Sequence, residues 1–152
     1  MATMERTVVL VKPDAVQRNF IGEIIHRFER KGLHMVGLKM MQLSDEILDT
    51  HYAHHAEKPF FAGLKKFMQS SPVIAMVWQG PKVIDVVRLM VGPTKGHEAL
   101  PGTIRGDFSI EPTYNMIHAS DAPETAAAEI ERFFKPEELF DYTKSANAHL
   151  FE

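Results

Sequence analysis

Hydrophobic positions along the chain come in short blocks whose period alternates between strand and helix. Thr7 to Val11 reads Thr-Val-Val-Leu-Val, an unbroken β-favouring run of the kind that fills a central strand. It stops at Lys12-Pro13-Asp14, which puts Lys12 at a strand's carboxyl end, pointing into whatever opens there. Ile21, Ile24, Ile25 and Phe28 recur at helical spacing with Glu23, His26, Arg27 and Arg30 opposite, and Gly32 ends that helix. From His34 to Gln42, Val36, Leu38 and Met40 alternate as a second strand. Ser44-Asp45-Glu46 starts a helix, Pro59 breaks the pattern, and Phe60 to Gln69 makes another helix. These two form a helical hairpin carrying Tyr52 and Phe60, placed to act as a flap over a site.

Ser70-Ser71-Pro72 is a turn, and Val73 to Trp78 is a uniformly apolar third strand. Gly80-Pro81 opens a helix with Val83, Val86, Val87 and Met90 inward and Arg88 on its flank. Gly92 to Pro112 reads as a long loop holding Thr94, Pro101, Gly102 and Arg105; such loops in compact domains are usually functional or oligomer-forming. Tyr114 to His118 is the last strand. The last helix runs to Phe134, with Ser120 or Asp121 as its cap and Pro123 in its first turn. Thr143 to Glu152 reads as an extended arm. Met35, Met40, Met41, Met68, Met76 and Met90 read as core filler.

The order β-α-β-(αα)-β-α-β-α contains two β-α-β halves. It predicts an α+β fold of the ferredoxin-like, split βαβ kind: a four-stranded, mainly antiparallel sheet with helices packed on it and an inserted helical hairpin. With 152 residues, no internal repeat and no linker, residues 1–152 are expected to form one domain. Apolar residues at 45% and charged residues at 24% are ordinary for a soluble globular protein. A net charge of −3 argues against a general nucleic-acid binder. The absence of cysteine removes disulfides, thiolate metal sites and cysteine nucleophiles. Neither a signal core nor a membrane-length apolar stretch is present, so a cytoplasmic protein without membrane contact is expected.

The chain has no Walker-type glycine loop and no protein-kinase triplet, so any phosphate must be held by side-chain cations from several elements. Lys12, Arg88, Arg105 and Thr94, with His118 opposite, make such a set. His118 stands just before the positive end of the last helix, where phosphate oxygens are well received. In that helix Ala126, Ile130 and Phe133 form an apolar stripe, and Glu129 lies one residue off it. A carboxylate beside a buried face needs a partner. One reading is a nucleophilic His118 oriented by Glu129; the other is a core-edge histidine and a solvated glutamate. His51, His54 and His55 share a helical face, but no cysteine or well-placed carboxylate completes a ligand set, so no metal site is expected there.

Val11-Lys12-Pro13-Asp14, Pro101-Gly-Thr-Ile-Arg105-Gly-Asp107 and Asn115-Met-Ile-His118-Ala-Ser120-Asp121 closely resemble nucleoside diphosphate kinase. The resemblance runs from about Glu5 to the Tyr142 region. It implies a ping-pong exchange in which His118 takes the γ-phosphate of a nucleoside triphosphate and passes it to a nucleoside diphosphate. It further implies that His118 attacks through Nδ1 while Glu129 holds the other ring nitrogen, supported by Ser120, with Tyr52 near the phosphohistidine. Lys12 would meet the γ-phosphate and ribose, Asn115 the sugar, Arg88, Thr94 and Arg105 the α- and β-phosphates, and Phe60 would stack on the base. Mg²⁺ would arrive with the nucleotide, and a hexamer is implied ahead of a tetramer. The cation ring matches what phosphoryl transfer needs, and stacking on Phe60 predicts broad base tolerance.

In a regular strand Asn115 and His118 face opposite sides, yet both would reach one nucleotide. Backbone irregularity is therefore predicted between Met116 and Ala119. Four positions depart from the family's usual pattern. Thr113-Tyr114 replaces a Gly-Arg pair and would remove an ion pair. Ala119 replaces a glycine after the nucleophile, and Gly96 replaces a proline, which would loosen the long loop. The alternative function is a nucleotide- or nucleic-acid-binding regulatory module of this fold with dispensable catalysis.

Overall fold

The computed structural model describes residues 3–152. Its elements are β1 (Met4–Val11), α1 (Pro13–Gln17), α2 (Ile21–Lys31), β2 (His34–Met41), α3 (Asp45–His51), α4 (Phe61–Met68), β3 (Val73–Pro81), α5 (Val83–Val91), α6 (Ile104–Phe108), β4 (Ile117–Ala119) and α7 (Pro123–Phe133). The strands lie in the order β2-β3-β1-β4, and every neighbouring pair is antiparallel. This is the expected ferredoxin-like α+β arrangement.

Both faces of the sheet are covered, which is why β1 reads as a continuous apolar run rather than an alternation. Val9 and Val11 face a layer formed with Ile24 and Phe28 of α2 and Val83 and Val87 of α5. Val8 and Leu10 face the other way, onto Leu48 of α3, Met68 of α4 and Phe133 of α7. Gly32, at φ 96°, closes α2 as its position in the sequence predicts. Ser44 caps α3, its Oγ accepting the Ile47 N–H at 3.1 Å.

β2 departs from its predicted alternation. A bulge between Met35 and Gly37 shifts the register, so Val36 is buried while Leu38 and Met40 are 52% and 59% exposed. Met40 is therefore not core filler; Met68 and Met76 are fully buried, as is Met116. The glycine beside the bulge is closely packed, since a Cβ on Gly37 would come within 2.9 Å of the Leu139 side chain, whose end would have to shift. β3 runs on to Pro81 instead of yielding there to a helix, and Lys82, at φ 51°, makes the left-handed step into α5. The long loop contains the one-turn helix α6, whose cap is the Thr103 hydroxyl accepting the Gly106 N–H at 2.9 Å. A single turn is too short to leave a hydrophobic period. The terminal arm is not wholly extended either: residues Ser145–His149 form a 3₁₀ turn, and the Tyr142 hydroxyl donates to the Met35 carbonyl. Among the described residues no helix is long and apolar enough to cross a membrane.

The cap of α7 is Ala122, without a side-chain bond, and neither Ser120 nor Asp121 takes that role. Ser120 is instead fully buried. Its Oγ accepts the Val8 N–H at 3.2 Å and donates to Glu129 Oε1 at 2.6 Å, tying β1 to α7 across the end of β4.

Candidate active site

His118 is the middle residue of β4 and pairs with Leu10, which puts its side chain on the face covered by α3 and α7. There its Nε2 meets Glu129 Oε2 at 2.9 Å and Oε1 at 3.1 Å. Glu129 is buried, and burial raises its pKa. Hydrogen bonds from the His118 ring and the Ser120 hydroxyl outweigh that and hold the carboxyl below its ordinary value. An ionised carboxylate only accepts, so His118 carries its proton on Nε2. The Nδ1 lone pair is left free, and the side chain is about a quarter exposed. An imidazole so held is able to act as a nucleophile without a separate base.

The strand is irregular just before His118, where the opposed directions of Asn115 and His118 require it. Met116 has φ 75°, and the Ile117 N–H donates to the Asn115 carbonyl at 2.9 Å, a three-residue γ-turn of the uncommon positive-φ kind. The turn is pinned from both sides. Asp14 Oδ2 accepts the Met116 N–H at 3.0 Å, and the Met116 carbonyl accepts the Lys12 N–H at 3.0 Å.

Beyond the turn, Asn115 Oδ1 accepts from Lys12 Nζ at 2.8 Å, and Asn115 Nδ2 donates to the carbonyls of Pro112 at 3.0 Å and Thr94 at 3.3 Å. Arg105, on α6, is buried and donates to the carbonyls of Asn115 at 3.1 Å, Gly92 at 3.0 Å and Ile117. Arg88 makes a long contact of 3.4 Å to the Ala119 carbonyl. These cations repel one another. Burial and then the charge of Arg105 bring Lys12 down to about 8, only partly offset by Asp14. Burial and then the charge of Arg88 bring Arg105 down to about 10. Two buried positive groups, Lys12 and Arg105, with the exposed Arg88 at their edge, face mainly one carboxylate and form a site for an anion of several charges.

The helical hairpin supplies the other predicted residues. Tyr52 follows α3 and is buried, with its hydroxyl pushed up to about 12 by burial and by Glu129, so it stays a neutral donor. Phe60, at the start of α4, is 53% exposed, its ring edge-on to His55 with centroids 5.0 Å apart. Thr94 is exposed on the loop after α5. The structure thus brings Lys12, Arg105, Asn115, His118, Ser120 and Glu129 into one hydrogen-bonded region, with Arg88 at its edge, while Phe60 stands apart at the surface.

Sequence reasoning missed His51, Asp14 and Arg132. His51 is buried beside Glu129, with Nδ1 3.6 Å from Glu129 Oε2 and its ring edge-on to His118 at 4.7 Å. It does not share a helical face with His54 and His55, because α3 ends at His51 and a 3₁₀ turn follows. Asp14 follows a proline directly after Lys12, a position that could have flagged it as an anchor. The family departures are accommodated. Ala119 sits in the β4 ladder opposite Val9 without positive φ. Tyr114 packs edge-on against Phe67 of α4, centroids 5.1 Å apart. Gly96 is no point of slack, since any Cβ there would run into the Ser109 carbonyl.

A profile of the family described as nucleoside diphosphate kinase matches residues 5–139. The chain is 56% identical over 148 residues to the nucleoside diphosphate kinase of Bacillus cereus, covering 97% of this chain and 100% of that protein. It is 52% identical over 152 residues to nucleoside diphosphate kinase A of Homo sapiens, covering 100% of both. Among solved structures, the halophilic nucleoside diphosphate kinase of Halobacterium salinarum in complex with CDP superposes with a TM-score of 0.96 at 47% identity, over 99% of this chain and 100% of that one.

Proposed function

The chain belongs to the nucleoside diphosphate kinase family, and from that footing we propose that His118 carries the transferred phosphoryl group on Nδ1. As a member of that family the protein is a phosphotransferase acting on nucleoside tri- and diphosphates. The observation that carries the residue assignment is the bond from His118 Nε2 to an ionised, buried Glu129, which leaves Nδ1 as the free lone pair. In the first half-reaction Nδ1 forms a bond to the γ-phosphorus, and the bridging oxygen leaves with the bonding pair on the diphosphate. The ring becomes cationic, and its Nε2 proton stays hydrogen-bonded to Glu129, whose negative charge balances it. In the second half an oxygen of an incoming diphosphate's terminal phosphate displaces the imidazole, and Nδ1 recovers its lone pair.

Lys12, Arg88 and Arg105 stabilise the charge spread over the phosphate oxygens, Arg105 and the γ-turn being fixed before substrate arrives. Asn115 and Lys12 meet the ribose, Thr94 a phosphate oxygen, Tyr52 the phosphohistidine, and Phe60 stacks on the base. A pyrimidine diphosphate, CDP, is the ligand of the Halobacterium salinarum relative, which supports tolerance for small as well as large bases. Mg²⁺ is read as part of the nucleotide substrate. It takes oxygen ligands, and the one group of potential metal ligands among the described residues is His51, His118 and Glu129, whose donor atoms are already engaged with one another and with Arg132.

The single-domain chain is read as cytoplasmic and as a homo-oligomer. Two separate apolar patches support the latter: Leu38 and Met40 on the edge strand β2, and Leu89, Leu100 and Ile110 near the long loop. Two self-complementary faces build more than a dimer, and the family resemblance favours six copies over four. Incubation with ATP labelled on the γ-phosphate is the direct test. An acid-labile, base-stable label on His118, lost in His118→Ala while ADP still binds, is expected; a label elsewhere would overturn the assignment.

A further inference from the structure

Arg132 lies three residues after Glu129 on α7, so both reach the same side of the helix. Its Nη1 is 2.9 Å from His51 Nδ1 at the end of α3. A guanidinium has donors only, so His51 Nδ1 is the acceptor and His51 carries its proton on Nε2. That same Nδ1 stands 3.6 Å from Glu129 Oε2, the oxygen that meets His118 Nε2 at 2.9 Å. Two histidines thus flank one carboxylate, and one of them has its facing nitrogen occupied.

We propose that Arg132 is a tautomer lock: by filling the Nδ1 lone pair of His51 it prevents that ring from donating to Glu129, and so reserves the carboxylate for His118. This rests on the reading of His118 as a nucleophile held through Nε2. The groups facing His51 are His118 from β4, Glu129 and Arg132 from α7, Lys12 at the end of β1, and the neighbouring Tyr52. Of these, only Glu129 draws a proton toward His51. Burial and the charge of His118 keep the ring neutral, at about 3, so the lock decides which nitrogen holds the single proton and not whether the ring is charged. Without Arg132 the bare Nδ1 would face a carboxylate oxygen, and moving the proton to Nδ1 would gain a charge-assisted hydrogen bond. Glu129 would then accept from two imidazoles and Ser120, and His118 would lose part of its orientation. The arrangement has a visible cost, because Arg132 Nε is buried with no acceptor.

The test is ¹⁵N-histidine NMR of the whole protein together with the rate of phosphohistidine formation, for Arg132→Met and for Arg132→Met combined with His51→Phe. Phenylalanine keeps the ring against His118 and removes the proton. In the native protein His51 should show a hydrogen on Nε2 and a bare Nδ1, and in Arg132→Met the two should exchange. Phosphorylation in that variant should slow on the order of ten-fold, as when an outer partner of a working imidazole is lost, with ADP affinity unchanged. The double variant should recover most of the rate. An unaltered tautomer in Arg132→Met, or a double variant as slow as the single one, would overturn the lock. A tautomer exchange with no label ever reaching His118 would overturn the nucleophile assignment instead, and leave the lock standing.

Discussion

At the ends of β1 and β4, the polar side chains are anchored to backbone inside the fold, whereas on the helical hairpin that carries Phe60, which packs on the core through Leu48 and Met68, the polar side chains meet one another in exposed ion pairs. Arg105 spends three donors on carbonyls, Asp14 holds the Met116 N–H, and Ser120 joins Val8 to Glu129, all in buried or part-buried surroundings. On the hairpin, Lys65 bridges to Asp49 at 2.8 Å and Asp45 at 3.4 Å, with both carboxylates more than half exposed. Surface pairs of that kind contribute about 0–1 kcal/mol each. The contrast matches the chemistry. Charge developing on a phosphoryl group rewards dipoles that need not move, while a base that varies from substrate to substrate rewards a compliant, nonspecific surface.

Arg105→Ala is the largest perturbation of the rigid side. Removing a fixed cation should lower turnover on the order of 10²–10³-fold, and stranding three buried carbonyls should also lower Tm. Unchanged turnover by coupled assay would show that Arg105 is structural only. Phe60→Ala probes the compliant side and should weaken nucleotide binding by about 1–3 kcal/mol through lost stacking, with Tm nearly unchanged. Equal binding of ADP and CDP to the variant and the parent, measured by titration calorimetry, would remove Phe60 from the base site.

The smallest effect concerns Lys12. Its folded pKa of about 8 lies below the ordinary 10.5, so the ammonium is present below about pH 8 and is lost above it. Between those values the unfolded chain binds the extra proton, so Lys12 costs stability at neutral pH and that cost fades as pH rises from about 8 to 10.5. A bound phosphate favours the charged form, so ADP binding should take up as much as one proton in that window and weaken as pH rises through about 8. Calorimetry in buffers of different ionisation enthalpy measures the uptake. No uptake at pH 9 would mean that Lys12 does not face the phosphates.

Much of this was readable along the chain, and where it was not the reason is local. α2, α3 and α7 are long or well capped, so period and caps located them. α1 and α6 are one-turn helices of five residues each and leave no period to read. The bulge at Met35 reversed the outer half of β2, because one extra residue exchanges the two faces. At the site, Lys12, Arg105, Asn115, His118 and Glu129 were each visible as chemistry in distinctive local company. The irregular backbone at Met116 followed from the demand that Asn115 and His118 serve one ligand. Ser120 was read two ways: as a helix cap, a role that Ala122 takes, and through the family resemblance as support for Glu129, which its 2.6 Å bond matches; its bond to the Val8 N–H appears only with the approach of β1.

By itself the order of residues determined the kind of elements, the fold class and the set of groups able to handle phosphate, because hydrophobic period and side-chain chemistry are properties of neighbours in the chain. Tertiary structure decided which nitrogen of His118 and of His51 carries the proton. Those protons are placed by Glu129, eleven positions from His118, and by Arg132, eighty-one positions from His51. Hydrogen bonds act over about 3 Å of space, and no spacing along a chain reports which distant segments will meet at that range.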